Sequence, residues 1–237
     1  MSRRSETGKV RRRPRGELAL RRRIVALCRE MNATGLNQGT SGNISARFHD
    51  TMVITPSGVP YGRLRPEHLA VMRLDADEAV WDGPCKPSSE WHFHRAVLQS
   101  NDAYNAVVHT HSTFATVLSM SRTTIPACHY MVAAFGGNDV RCARYATFGT
   151  KALSSNVLRA MRDRSACLLA NHGMVVAEKD LDRAMWAAVE LETLARQYYH
   201  ACLLGKVTLL SPAEIERVRV KFRSYGPSSN EVEVADS

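Results

Sequence analysis

The chain has 237 residues, 44% of them apolar and 23% charged, and a formal charge of +9. That length fits one domain with a substantial core, and no run of 18 apolar residues occurs, which excludes a membrane-spanning helix. The charge is local: residues 1–23 hold ten Lys/Arg against Glu6 and Glu17, a net of +8, so the other 214 carry about +1. A basic body that grips nucleic acid is thereby excluded. Residues 1–15 read as a basic, disordered tail, with polyanion or nucleic-acid contact by that tail the weaker reading. Ser2-Arg3-Arg4 starts like a twin-arginine signal, but no adequate apolar stretch follows. Six scattered cysteines without C-x-x-C spacing read as reduced thiols. A cytoplasmic protein is the expectation.

In chain order, Leu18, Leu20, Ile24, Leu27, Cys28 and Met31 recur at helical spacing and predict a helix over 16–34, stopped at Gly35. A polar loop, Asn37 to Asn43, follows. Short strands are expected at 44–48 and 52–55, joined around His49-Asp50, then a turn at Pro56-Ser57-Gly58 and a strand at 70–74. Pro87-Ser88-Ser89-Glu90 should open a helix to about Ser100, with a serine as N-cap and Glu90 in its first turn. Residues 105–111 read as a strand and 113–120 as a short helix. A helix is expected from Gly149 to Arg162, strands at 166–170 and 174–177, and the longest helix at 181–204. Ser211-Pro212-Ala213-Glu214 opens a last helix, with Ser as cap and Pro at its first position. The irregular order of elements predicts an α/β, single-domain layered fold with a mostly antiparallel central sheet flanked by helices. Its bounds are expected at 16–226, with 227–237 a flexible C-terminal tail.

Nine histidines occur. His109 and His111 lie two apart on a predicted strand, so both point to one face. His172 follows a second apolar strand. Three imidazoles with an open fourth position suit a catalytic zinc site, though H-x-H also occurs as ordinary half-buried strand. His92 and His94 form another H-x-H, but within a helix two residues subtend about 200° and cannot face one ion; they read as packing or surface residues. His49, His68 and His200 read as solvent-facing. Glu90 is the carboxylate candidate, at a helix start where backbone N–H groups favour an anion. The loops at 39–43 and 57–58 offer hydroxyls and N–H groups that bind phosphate without Lys or Arg.

The segments Gly35-Leu36-Asn37-Gln38-Gly39-Thr40-Ser41-Gly42-Asn43, Ile54-Thr55-Pro56-Ser57-Gly58, Pro87-Ser88-Ser89-Glu90-Trp91, Val108-His109-Thr110-His111 and Asn171-His172-Gly173 together resemble the class II aldolase/adducin family. Ile125 to Met131 and Tyr145 to Thr150 look like its fuculose-phosphate branch. The likeness runs from about residue 17 to Gly226. It implies a class II aldolase-like fold and reversible cleavage of L-fuculose 1-phosphate to dihydroxyacetone phosphate and L-lactaldehyde. It also implies zinc held by His109, His111 and His172, with Glu90 as acid/base that reaches the metal when substrate is absent. Gly42, Asn43, Ser57, Gly58, Ser88 and Ser89 correspond to the phosphate pocket and Phe148 to a substrate contact. Tyr130 matches a tyrosine lent by a neighbouring subunit of a homotetramer, and Tyr225 a C-terminal tyrosine. There are two departures, Ala170-Asn171 before His172 and the stretch after Gly226, and the latter bears on which aldehyde fits. Relatives of this fold also epimerise pentulose 5-phosphates, dehydrate methylthioribulose phosphate or cleave deoxypentulose phosphates, so an aldolase for another deoxyketose 1-phosphate is a further reading. A non-catalytic adducin-like module is the reading from another class.

Overall fold

The computed structural model describes residues 16–76 and 78–222. The tails expected at 1–15 and 227–237, and Tyr225, lie outside the described residues. Helix α1 (Glu17–Ala33) ends where Gly35 takes φ +75°, the left-handed stop that its glycine permits. Strands β1 (Asn43–Phe48) and β2 (Thr51–Ile54) form a hairpin through His49 at φ 52°, and β3 (Ala70–Arg73) adds to its edge. Then come α2 (Trp91–Ser100), β4 (Ala106–Thr110) and α3 (Thr113–Met120). Two short strands, β5 (Ile125–Pro126) and β6 (Asp139–Val140), pair apart from the main sheet and enclose a 3-10 segment, Tyr130–Phe135. The chain closes with β7 (Cys142–Ala143), α4 (Lys151–Ala160), β8 (Ala166–Leu169), β9 (Gly173–Glu178), α5 (Leu181–Leu203) and α6 (Pro212–Phe222).

The main sheet runs in the order β3-β2-β1-β4-β9-β8-β7. Each pair is antiparallel save β7 on β8, so the sheet is mixed by that one edge. Period-two alternation sorts its side chains into two cores. Ile44, Ala46, Val108, Met174 and Val176 pack against α1, α3 and α5. Met52, Ile54, Val107, Cys167 and Val175 pack against α2 and α4. The result is a single α/β domain of helix, sheet and helix layers. All six cysteines are free, and no helix among the described residues is long and apolar enough to cross a membrane.

Most predicted elements match within one or two residues. One start differs. Glu90 is the N-cap of α2 rather than a residue of its first turn, and its side chain makes no capping bond. Instead Ser88 Oγ accepts from the Glu90 N–H at 3.3 Å, and the carboxylate turns away from the helix. Strands β5, β6 and β7, two residues each, carry no periodicity that a sequence pattern could show.

Candidate metal centre and phosphate cleft

Four side chains converge where β4 ends. His109 sits on β4 opposite Asn43 of β1, and His111 is the first residue past the strand. His172 lies in the tight connection between β8 and β9, and Glu90 at the start of α2. Their donor atoms all lie within 4.8 Å of one another. The three imidazole centroids form a nearly equilateral triangle with sides of 4.8–5.0 Å, each ring edge-on to the next. His109 Nε2 is 3.1 Å from His111 Nε2 and 3.1 Å from Glu90 Oε2, while His172 Nε2 is 3.3 Å from Glu90 Oε1.

Backbone geometry makes that convergence possible. Gly173 follows His172 where β9 approaches β4; a Cβ there would stand 2.4 Å from the Thr110 carbonyl oxygen and 3.1 Å from His111 Cδ2. Asn171 turns at φ 56°, a conformation asparagine tolerates better than most residues. Ser119 of α3 holds that turn, its carbonyl accepting from Asn171 N–H (3.1 Å) and its hydroxyl from His172 N–H (3.3 Å).

The electrostatics ask for a cation. The His109 Nδ1–H donates to the Met174 carbonyl at 2.8 Å, so in the neutral ring the Nε2 lone pair faces the other imidazoles. Burial works against the charged Glu90 carboxylate. Attraction to His109, hydrogen bonds from His109 and Asn43, and attraction to His172 outweigh burial and hold it well below the usual carboxylate range. Burial, then the positive charge beside them on His109, pushes His111 and His172 down to about 4. A proton on His109, or a metal ion in its place, must neutralise this group. Glu90 Oε1 is buried with no hydrogen-bond partner, which is what an oxygen aimed at an ion looks like. Three imidazoles and one carboxylate fit a divalent ion of the zinc kind.

Glu90, His111 and His172 line the floor of a cleft of about 330 Å³, with His109 fully buried beneath them. One wall is the phosphate-binding set expected from the sequence: Gly42, Asn43, Ser57, Gly58, Ser88 and Ser89, with Thr40 and Ser41 beside them. Its loops are locked together. Ser88 N–H donates to the Thr55 carbonyl at 2.9 Å, Ser57 N–H to the Lys86 carbonyl at 3.1 Å, and Ser89 N–H to Ser57 Oγ at 3.0 Å. Tyr145, Ala146 and Phe148 also line the cleft, and the two aromatics are exposed. Tyr130 does not line this cleft; it stands 49% exposed with its ring 6.3 Å from that of Phe222.

Sequence reasoning missed Tyr145, Ala146 and Asn171 as lining residues, and for His94 it left open whether the ring packs or faces solvent. Neither His92 nor His94 joins the metal-ligand cluster. Yet His94 is fully buried and hydrogen-bonded to Asn43, which in turn reaches Glu90. The spacing of Glu90 and His94, four apart on one helical face, was the signal available.

Residues 22–199 match the model of the class II aldolase and adducin N-terminal domain. The chain belongs to the class II aldolase and adducin family. A 5-methylthioribulose-1-phosphate/5-deoxyribulose-1-phosphate aldolase of Rhodospirillum rubrum is 46% identical over 91% of this chain and 96% of its own length. An L-fuculose phosphate aldolase of Escherichia coli is 46% identical over 87% of this chain and 95% of its own. A solved structure of an L-fuculose 1-phosphate aldolase superposes with TM-score 0.83 at 37% identity, covering 86% of this chain and 96% of the other. The chain is accordingly a class II aldolase, a lyase of a metal-dependent family, and its Glu/His3 group could hold a metal ion.

Proposed function

We propose that this class II aldolase reversibly cleaves a ketose 1-phosphate, with L-fuculose 1-phosphate the first substrate to test, to dihydroxyacetone phosphate and L-lactaldehyde. The observation that carries the reading is the Glu90/His109/His111/His172 cluster at the base of a cleft with a wall of uncharged polar groups. The Ser88 and Ser89 hydroxyls, the Asn43 amide and the glycine-bearing turns at Gly42 and Gly58 suit a phosphate far from the bond that breaks. Their binding energy then orients the substrate. His109, His111 and His172 would hold a zinc ion, which would supply Lewis-acid stabilisation of the negative charge that develops in the reaction. Glu90, within reach of that floor, takes the proton from the carbon next to the carbonyl in the synthetic direction and returns it in cleavage.

The departing aldehyde oxygen needs its own acid. Tyr130 is exposed and off the cleft of its own chain, which suits a tyrosine lent to a neighbouring copy in a homotetramer; Tyr225 is assigned a similar role from the C-terminal end. Phe148, with Tyr145 and Ala146, offers the aldehyde a wall without charge. That wall also suits the methyl or methylthio end of a 5-deoxy- or 5-methylthioribulose 1-phosphate. The equal identity to relatives bearing those names makes such substrates the second reading.

The test assays dihydroxyacetone phosphate release from each ketose 1-phosphate, with and without chelator. In parallel, Glu90→Gln is expected to keep the metal but lose at least about a hundredfold in hydrogen exchange at dihydroxyacetone phosphate. Exchange retained by that variant would remove Glu90 as the base, and epimerised or dehydrated products would replace the aldolase reading.

A further inference from the structure

Behind Glu90 runs a buried chain of hydrogen bonds that the proposed chemistry does not yet use. Asn43 Nδ2 lies 3.0 Å from Glu90 Oε2, Asn43 Oδ1 lies 2.5 Å from His94 Nε2, and His94 Nδ1 lies 2.7 Å from Ser45 Oγ. Asn43 and Ser45, two apart on β1, share one face, and the His94 ring bridges them from α2. Asn43, Ser45 and His94 are all buried, His94 and Ser45 completely.

The proton positions in this chain are forced one after another. A carboxylate only accepts, so the amide must turn its NH2 group to Glu90. Its carbonyl oxygen then faces His94, whose Nε2 must carry the proton that is donated. In the neutral ring Nδ1 is consequently an acceptor, and the Ser45 hydroxyl donates to it. Were the Ser45–His94 end to reverse, the amide would present its oxygen to the Glu90 carboxylate, two acceptors face to face. Burial favours the neutral ring that this order needs.

We propose that His94 is a positioning residue: locked by Ser45, it fixes the amide of Asn43 so that one Asn43 N–H steadies the Glu90 carboxylate and the other faces the phosphate cleft. His94 itself touches neither the cleft nor the cluster of ligand atoms. The inference rests on Glu90 being the base, and it extends the machinery one shell outwards along β1 and α2.

Glutamine can copy both roles of the ring, donating from its NH2 group to Asn43 and accepting from Ser45 through its oxygen; leucine can do neither. In the metal-loaded enzyme, His94→Leu is expected to lower kcat about 10- to 100-fold, with KM and bound metal within about twofold and hydrogen exchange falling with kcat. His94→Gln should restore kcat to within about fivefold, and Ser45→Ala, which frees the ring to change tautomer, should fall between the two. Added to Asn43→Ala, His94→Leu should cost little more, because two residues acting through one contact are not additive.

A folded, metal-loaded His94→Leu with wild-type kcat would overturn the proposal, as would a loss that adds in full to that of Asn43→Ala. If His94→Leu does not fold, wild-type kcat in Ser45→Ala overturns it instead. Failure of the base assignment is separable: there Glu90→Gln keeps exchange, whereas here Glu90→Gln loses it while the His94 variants do not.

Discussion

Glu90 carries a charge where burial alone would remove it, and that single tension organises the site. Its partners are histidines from two other stretches of chain, brought to within 4.8 Å with no lysine or arginine among the residues that line the cleft. Such a cluster depends on backbone placement more than on side-chain choice, and Gly173 is where placement is tightest. Gly173→Ala should push the hairpin off β4, costing about 1–3 kcal/mol of stability by overpacking and weakening metal affinity. Denaturant titration and metal competition would check this, and unchanged affinity would show that the hairpin has room to spare. At this scale the sequence was most legible where a rigid rule applied. Strand alternation put His109 and His111 on one face, and Ser88-Ser89-Glu90 marked a helix start that could hold an anion. His94 was read only as packing or surface because a helix hides its facing until its first residue is known; with Glu90 as N-cap, the ring is buried and reaches the carboxylate through Asn43. Tyr145 and Asn171 come from connections whose approach to the cleft no local pattern encodes.

Among the elements, α3 connects the two arms of the metal set. It begins two residues after His111, and its C-terminal Ser119 grips the turn that carries His172. Its N-cap, Ser112, makes no side-chain cap. Glu192 of α5 substitutes for it, one carboxylate oxygen accepting from Phe114 N–H at 2.8 Å and the other from Ala115 N–H at 2.9 Å. A negative group there also complements the helix dipole. Glu192→Ala is therefore expected to cost about 1–2 kcal/mol, the range for a lost cap, and to loosen metal binding although Glu192 is not a ligand. Isothermal titration with Zn2+ on the stripped protein would measure the second effect; an unaltered dissociation constant would confine Glu192 to stability. The long elements could be read in advance because their apolar periodicity extends over several turns or a full strand. The two-residue strands could not, since two residues hold no period and their pairing is decided by tertiary packing. Nor could Glu192, whose partner lies 78 positions away.

At the scale of the whole molecule, the layered fold and its mostly antiparallel sheet followed from the order of elements, whereas the parallel edge of β7 on β8 required knowing where the chain returns after β6. The sheet's centre, β1-β4-β9, is also where the site is built: Asn43, His109 and the turn before Gly173 lie on three adjacent strands. This register has a kinetic consequence. Glu90 and His172 are 82 positions apart, and their meeting waits until β9 has zipped onto β4, a pairing of distant segments that pays its loop-closure entropy early. A cation can then find its full set of ligands only after the main folding barrier has been crossed. Metal should slow unfolding severalfold while leaving the refolding rate unaltered, as expected for contacts absent from the transition state. Stopped-flow measurements on loaded and stripped protein would show it, and faster refolding with metal would place the site in the folding nucleus. The ion that equips the floor for chemistry would also act as a latch on the finished sheet, so that time spent without metal is time exposed to opening.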